Sequence, residues 1–299
     1  MFSRRRALGA SFFAAIGLLV LLGASTAPAS AASCDRACLS GLITKYVDAV
    51  LARDPSKLPL AADVRFTEDS RVLKLGEGLW KATLTKGTFR QDYLDTEKQI
   101  AAAHVQFVEN KKPVLVSVLL HVKDGKVAGI ETLIERITPE SHLQPEVLDQ
   151  PIRGMNDPIP AGERMSRAAM IKIALTYPEG LRIGNFTDGG TPFAADTYRV
   201  ENGVITAGKG SERPNSGMYE QHIMLHPGII PSVAAVDEEN GVVVLWMNFG
   251  YTNSYGPGNS LVTFESFKVW GGQIHAINAF FRSLPLATSR NWTSTDPVR

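Results

Sequence analysis

The sequence has few thiols and almost no excess charge of either sign. Its 299 residues include only two cysteines, Cys34 and Cys38, and 31 Lys and Arg residues stand against 30 Asp and Glu residues. Two cysteines with no histidine near them cannot complete a zinc site, so no metal centre is expected. The balanced charge, with no basic block after residue 31, makes nucleic acid an unexpected partner.

The sequence also lacks the motifs that define common enzyme classes. It has no nucleophile elbow, no phosphate-binding loop, no zinc-protease helix and no CxxC pair. These absences argue against the serine hydrolases, nucleotide-binding enzymes, metalloproteases and thiol oxidoreductases that carry such motifs. We therefore expect a protein that works without a cofactor.

One long apolar run is present, at residues 7–22, between a basic start at residues 4–6 and the small residues Ala29-Ser30-Ala31. A basic start, a short apolar core and an A-x-A site together predict a signal peptide over residues 1–31 rather than a membrane anchor. Residues 3–8 also resemble a twin-arginine signal. We expect a secreted or periplasmic protein with no membrane segment after cleavage, in an oxidising compartment where Cys34 and Cys38 form a disulfide.

The mature sequence divides into two halves joined by a Pro-rich stretch. Apolar residues at helical spacing predict a helix at the start of the first half, with a stripe made of Leu39, Leu42, Ile43, Tyr46, Val47, Val50 and Leu51. A second helix is predicted from about residue 164, and strands with glycine-containing turns follow each helix. We expect a first domain at 32–138, a connector at 139–162, a second domain at 163–288 and a C-terminal tail at 289–299.

Two fragments of the first half recur in the second half. Residues 61–69 align with residues 194–202, and residues 122–130 align with residues 269–277. The offset grows from 133 to 147 between the fragments, so the second half contains 14 additional residues there. The irregular segment 209–231 is the expected place for them. The order and spacing of the fragments predict an internal duplication.

A helix, a strand pair and a long antiparallel sheet ending in a hairpin resemble the NTF2-like superfamily, which includes ketosteroid-isomerase-like and SnoaL-like proteins. Locally, Phe66-Thr67-Glu68-Asp69 is similar to the strand ending that carries the base in isomerase-like members. The resemblance implies an α+β fold of two tandem cone-shaped domains, each an N-terminal helix packed on a curved antiparallel sheet. The start of the mature chain is also similar to secreted fungal and bacterial proteins of unassigned function.

Two neighbouring acids compete for the role of base. The resemblance implies Asp69, although Ser70 follows it where many relatives have proline. Strand alternation favours Glu68, because Glu68 shares the face of Phe66 if that face is the interior one. A solvated turn at these acids is the alternative. In the second half Asn202 takes the position of Asp69, so any chemistry is expected in the first half.

Further candidates lie on later segments of the first half. Tyr93 and Asp95 are two residues apart and share one strand face. The resemblance implies that Tyr93 or His121 donates a hydrogen bond to a developing oxyanion. Asp95, Phe66 and Trp80 are expected to contact the substrate, with Trp80 as a flat wall. Exposed strand positions and a core tryptophan would produce the same pattern.

These features lead to three hypotheses about function. The first is an exported, cofactor-independent lyase or isomerase that moves a proton on a small apolar molecule, aromatic or polyketide-like. The second is a non-catalytic secreted protein, ligand-binding or scaffolding, built as an intramolecular dimer of cone domains. The third is a copper site at His222, Met224 and His226. Assembly into a homo-oligomer is left open.

Overall fold

Each half of the chain begins with a 17-residue helix, α1 at Arg36–Ala52 and α2 at Arg167–Ile183. The computed structural model describes residues 1–2 and 33–298, so residues 3–31 of the predicted signal peptide lie outside the described residues. The side chain of Asp35 caps α1 by accepting the Cys38 amide, and the side chain of Ser166 caps α2. No helix among the described residues is long and apolar enough to cross a membrane.

The first helix is followed by a six-stranded sheet with the order β2-β1-β6-β5-β4-β3. Its strands are β1 (Leu60–Glu68), β2 (Arg71–Leu73), β3 (Thr85–Asp95), β4 (Ile100–Glu109), β5 (Lys112–Lys123) and β6 (Lys126–Arg136). All neighbouring strands are antiparallel except β1 and β6, which run parallel.

The second helix is followed by a sheet with the corresponding order β8-β7-β12-β11-β10-β9. Its strands are β7 (Phe193–Glu201), β8 (Val204–Gly208), β9 (Ile230–Asp237), β10 (Val242–Asn248), β11 (Asn259–Trp270) and β12 (Gln273–Pro285). Again one pair, β7 with β12, is parallel. The prediction of an α+β fold with a helix and an antiparallel-rich sheet in each half is confirmed at this level.

The two sheets also match in register. Phe66 pairs with Ile130 between β1 and β6, and Arg199 pairs with Ile277 between β7 and β12, which reproduces the offsets of 133 and 147. Ile100 of β4 pairs with His121 of β5, as Val242 of β10 pairs with Lys268 of β11. His121 and Lys268 are related by the offset of 147, so Ile100 and Val242 are equivalent, with an intermediate offset of 142. Relative to the first half, the second half therefore has nine additional residues before β9 and five between β10 and β11. The expectation that all 14 belong to segment 209–231 was wrong, because the second expansion is in the loop at 249–258.

The described part of the chain has three apolar layers. One lies between α1 and the first sheet and includes Tyr46, Phe66, Trp80 and Val118. Another lies between α2 and the second sheet and includes Tyr177, Phe193, Leu245 and Phe267. In the third layer the outer faces of the two sheets pack against each other through Tyr93, Leu119, Trp246, Phe264 and Phe280. Each sheet therefore has one face toward its helix and one toward the other sheet.

Reciprocal ion pairs join the two halves. Arg36, the first residue of α1, binds Asp237 with N–O distances of 2.6 and 3.0 Å. Arg167, the first residue of α2, binds Asp95 in the same bidentate way at 3.1 and 2.7 Å. The backbone amide that precedes each aspartate donates to the other aspartate, at 3.0 and 2.8 Å. The arrangement has the self-complementary form of a two-fold interface.

The segments outside the sheets lie against this framework. Cys34 and Cys38 form a disulfide at the start of α1, as predicted. Residues 137–166 contain no helix or strand, yet they bury Leu148, Ile152 and Met155 in the layer between the sheets. The ammonium of Lys268 holds this connector through the carbonyl of residue 157 at 2.6 Å. The connector therefore packs along the protein instead of hanging free between its halves.

Candidate functional site

Glu68 lies on the helix-facing side of the first sheet, the side that strand alternation indicated for it. Its Oε2 atom accepts a 2.8 Å hydrogen bond from the Leu79 amide, and Leu79 belongs to the same apolar layer as Phe66. Gly78 has φ of +61°, and a Cβ atom there would lie 2.3 Å from the Glu68 carboxylate. Burial raises the pKa of Glu68. The carboxylate is thus enclosed by the turn that follows it.

Asp69 occupies a turn, with φ of +52°, and faces the second half of the protein. Its carboxylate accepts the Ile134 amide at 3.0 Å and pairs with the Arg282 guanidinium at 2.5 Å. Burial raises the pKa of Asp69, and the nearby charge of Arg282 opposes this. Asn202, the corresponding residue of the second half, binds the Phe281 amide in the same way at 2.9 Å. Asp69 and Asn202 therefore stabilise the same turn in the two halves. The replacement of the acid by an amide does not by itself identify Asp69 as catalytic.

Tyr93 lies between the two sheets, on the opposite side of the first sheet from Glu68. Its hydroxyl accepts hydrogen bonds from Ser266 at 2.8 Å and from Asn278 at 3.2 Å, and it lies 3.3 Å from Nδ1 of His104. All of these side chains are buried. Burial lowers the pKa of His104 to about 3, so the imidazole is neutral. The cluster gives the apolar layer a set of specific polar contacts.

The other predicted residues are also engaged in contacts with neighbouring side chains. Asp95 is completely buried in its ion pair with Arg167. The His121 ring stacks on Trp292 at 4.2 Å and contacts Glu131 at 3.4 Å. Trp80 packs edge-on against Tyr46, so it is a core residue of the helix-facing layer rather than a wall at an opening.

The predicted set is consequently divided among three places. Glu68, Phe66 and Trp80 lie below α1, Tyr93 and Asp95 lie between the sheets, and His121 lies below the C-terminal tail. Glu68 and Asp69 form their hydrogen bonds with Leu79, Ile134 and Arg282 rather than with Tyr93 or His121, and Asp95, although it shares the layer of Tyr93, is held by Arg167. If an acid works together with a hydrogen-bond donor, as the resemblance implied, the two must come from a different group of residues.

A polar cluster of that kind lies between α2 and the second sheet, and we call it the second-half cluster. It consists of Tyr177, Arg199, Glu201, Thr206 and Glu265. The Arg199 guanidinium contacts the Tyr177 hydroxyl at 3.0 Å, Thr206 Oγ1 at 3.1 Å and Glu201 Oε2 at 3.2 Å. Thr206 in turn donates to Glu201 at 2.5 Å. Charged and hydroxyl groups are thus concentrated in an otherwise apolar layer.

Glu265 is the least compensated member of the second-half cluster. The residue is 1% exposed, and its Oε1 atom has no hydrogen-bond partner among the described residues. Burial and the negative charge of Glu201 raise the pKa of Glu265 to about 8, against the opposing effects of Arg199 and of a hydrogen bond from Tyr177. Burial lowers the pKa of Arg199, but Glu201 and Tyr177 raise it by more, so the pKa of Arg199 is raised overall. A carboxyl that titrates near neutral pH therefore lies beside a fixed cation.

The first half keeps only part of this cluster, because Glu68 and Tyr46 correspond to Glu201 and Tyr177 but the cation and the second acid have no counterpart. At the offsets fixed by the register, Arg199 corresponds to Phe66 and Glu265 to Val118, both apolar core residues. Tyr177 is the eleventh residue of its helix, as Tyr46 is of the other. The sequence led us to expect any chemistry in the first half, whereas this buried cluster of charged and hydroxyl groups lies in the second half. Applying the repeat offsets to the interior strand positions would have revealed the exchange of apolar for charged residues.

The two expanded loops of the second half meet above this cluster. His226, from segment 209–229, lies with Nε2 2.7 Å from the Tyr255 hydroxyl, from loop 249–258. Burial raises the pKa of Tyr255, and the charges of Glu201 and Arg199 also act on it. Gly228 and Gly250 touch through their backbones so closely that a Cβ on Gly250 would lie 2.7 Å from the Gly228 carbonyl carbon. Both expansions thus close the side of the interior that carries the charges.

The copper hypothesis finds no cluster to support it. In residues 1–2 and 33–298 there is no group of three or more His, Cys, Asp or Glu side chains placed to hold a metal ion. His226 is instead engaged with Tyr255, and burial lowers its pKa.

Comparison with known proteins gives a family match within the second half and a small number of structural neighbours. Residues 163–281, which include Tyr177, Arg199 and Glu265, match a family model described as a domain of unknown function (DUF8021). In structure the chain is similar to a provisionally assigned ketosteroid isomerase from Kribbella flavida, with 18% identity and a TM-score of 0.27 over 42% of this chain and 93% of that chain. A likeness at this score is too slight to carry an argument. No curated protein matches the sequence significantly.

Proposed function

We propose that this is an exported, cofactor-independent enzyme of the lyase or isomerase type, and that Glu265 is its acid–base residue. The observation that carries the proposal is the buried carboxyl of Glu265, with a pKa of about 8 and one oxygen without a hydrogen-bond partner in the described part of the chain, near Tyr177 and Arg199. A proton-transfer group works best when its pKa is close to the operating pH. Perturbed acids of this kind concentrate at functional sites.

The chemistry follows from the neighbours of Glu265. In its ionised form the carboxylate takes a proton from a carbon next to a carbonyl group, and negative charge develops on the carbonyl oxygen. Arg199 and the Tyr177 hydroxyl are donors that can stabilise this charge in a site of low dielectric constant. Return of the proton to a different carbon completes an isomerisation, and loss of a hydroxide with that proton completes a dehydration.

The substrate is proposed to be small and mostly apolar. Phe193, Phe186 and Phe267 surround Tyr177 in the helix-facing layer, so aromatic surface dominates the environment of the cluster. The interior is closed in this state, since Glu265 is almost fully buried. Entry therefore requires movement of the loops at 209–229 and 249–258, which close the same side. Such gating loops are common in enzymes that exclude water during reaction.

The proposal is tested by proton exchange into simple ketones. Cyclohexanone and 1-tetralone in D₂O are incubated with the protein, and deuterium incorporation next to the carbonyl is followed by NMR. Wild-type protein should accelerate exchange, and Glu265→Gln should reduce the rate at least about 100-fold, in line with the contribution of a general base. The matched controls are Glu68→Gln and Asp69→Asn in the first half, with folding checked by circular dichroism. Undiminished exchange by Glu265→Gln would contradict the proposal.

A non-catalytic, ligand-binding or scaffolding role is the second candidate. It is favoured by the extensive packing between the sheets and by the reciprocal ion pairs, which give a rigid arrangement resembling a dimer within one chain. The same experiment separates the candidates. A protein that binds the ketones without accelerating exchange acts as a binder.

A further inference from the structure

The C-terminal tail forms a preorganised wall over the edge of the layer between the sheets. The Arg290 guanidinium binds Glu131 through two hydrogen bonds, at 2.8 and 2.9 Å, and both side chains are buried. Two residues further on, the Trp292 indole donates to Thr67 at 2.8 Å and stacks on His121. Although residues 286–298 contain no helix or strand, these contacts fix the tail in place.

Between this tail and the second sheet lies a cavity of about 620 Å³. The side chains of Trp246 and Trp292 line it, and Ile230, Tyr251 and Leu286 form its rim. The rim residues are 61%, 57% and 37% exposed, so large apolar side chains converge on one opening. The volume is typical of sites for small organic molecules.

The cavity is electrically neutral. Of the described residues that line it, Arg290 is the only charged one, and Glu131 balances its charge. The polar floor is already satisfied, because the Asn248 amide donates to the carbonyls of residues 286 and 288 at 3.0 and 2.8 Å and its oxygen accepts from Ser260. A charged ligand would lose its hydration here without gaining a counter-charge.

We propose that this cavity is a binding site for an uncharged aromatic molecule, held by ring contacts with Trp246 and Trp292. His121 stacks on Trp292 and the Arg65 guanidinium lies 4.5 Å from its ring, so Trp292 offers its edge, and ring edges favour T-shaped contacts with another aromatic ring. Gly228, Gly250 and Tyr251 of the two expanded loops also line the cavity, but Trp246 belongs to the layer between the sheets, whereas its neighbours Leu245 and Met247 face α2 and the second-half cluster. Binding here does not depend on the proposed reaction.

Calorimetric titration with 2-naphthol tests the proposal, with 2-naphthoate as a charged probe of similar shape. One molecule of 2-naphthol should bind, and 2-naphthoate should bind at least about 10-fold more weakly. Ile230→Asp, which puts a charge on the rim, should weaken 2-naphthol binding at least about 10-fold. Val72→Asp is the matched control, because Val72 is 62% exposed, against 61% for Ile230, and lies outside the cavity.

Three results would overturn the proposal. They are absence of 2-naphthol binding at millimolar concentration, equal affinities of the Ile230→Asp and Val72→Asp variants, and binding of 2-naphthoate as tight as that of 2-naphthol. Glu265→Gln should leave 2-naphthol binding unchanged, and loss of binding in that variant would assign the probe to the second-half cluster instead. Circular dichroism of the Ile230→Asp variant checks the fold, which an exposed residue at the start of β9 should not disturb.

Discussion

Glu265 is an acid in a position where the first half of the protein has a valine. The isolated carboxyl costs stability when it is ionised, because burial removes its hydration and Arg199 is already paired with Glu201. Such a cost without evident structural gain is typical of residues kept for function.

We predict that Glu265→Gln changes the pH dependence of stability. The folded-state pKa of about 8 lies above the ordinary value of 4.5. The folded state therefore holds a proton that the unfolded state releases, and the contribution of Glu265 is complete below pH 4.5 and is lost as the pH rises through about 8. Urea unfolding of the variant at pH 5, 7 and 9 should show a smaller loss of stability over this range than wild type.

The control for this measurement is Glu220→Gln, which changes an exposed glutamate of the same half. Its stability profile should run parallel to that of wild type. Parallel profiles for wild type and Glu265→Gln would mean that Glu265 titrates normally, and the acid–base proposal would lose its main support.

At the scale of elements, the second half differs from the first mainly in two loops. The hydrogen bond between His226 and Tyr255 connects them, and His226 Nδ1 has no partner within the described residues. Removal of the Tyr255 hydroxyl would leave His226 Nε2 without its side-chain partner. An unsatisfied buried polar group costs about 1–3 kcal/mol.

We predict that Tyr255→Phe loosens these loops without unfolding the sheets. Hydrogen–deuterium exchange should become faster at the amides of segment 223–229, while the amides of β10 and β11 stay protected. Tyr219→Phe is the matched control, because it also removes a hydrogen-bonded hydroxyl, one that accepts the Phe193 amide and donates to the Thr191 carbonyl in an earlier part of segment 209–229. Faster exchange at 223–229 in the control alone, or in neither variant, would refute a closing role for the His226–Tyr255 pair.

The elements themselves could be predicted from the sequence because local periodicity determines them. The stripe that contains Tyr46, the turn at Asp124-Gly125 and the offsets of the repeat all depend on neighbours in the chain. The direction of Asp69 depends on Arg282, which is 213 residues away, and no local pattern encodes that contact. Likewise, Glu265 belongs to a strand that is buried on both faces and carries polar residues on both, so alternation alone did not indicate which side it faces, and the register of β11 was needed.

At the scale of the whole molecule, the two halves contact each other as two subunits of a dimer would. Arg36 and Arg167 start the two helices, and each reaches an aspartate at the end of a strand in the other half. Asp95 and Asp237 are both completely buried. Reciprocal contacts of this kind are what a duplicated dimer-forming domain would retain, and we propose that origin for the chain.

We predict that Asp95→Ala lowers the free energy of unfolding by about 3–5 kcal/mol, because it leaves the buried Arg167 guanidinium with Asp296 as its main acceptor. Asp196→Ala is the matched control. Asp196 pairs with Lys209 at 3.9 Å with both side chains more than half exposed, and its loss should cost less than about 1 kcal/mol. Urea unfolding followed by tryptophan fluorescence measures both. If the two variants lose similar amounts of stability, the buried pair does not hold the halves together, and the packing of Tyr93, Phe264 and Phe280 must do so alone.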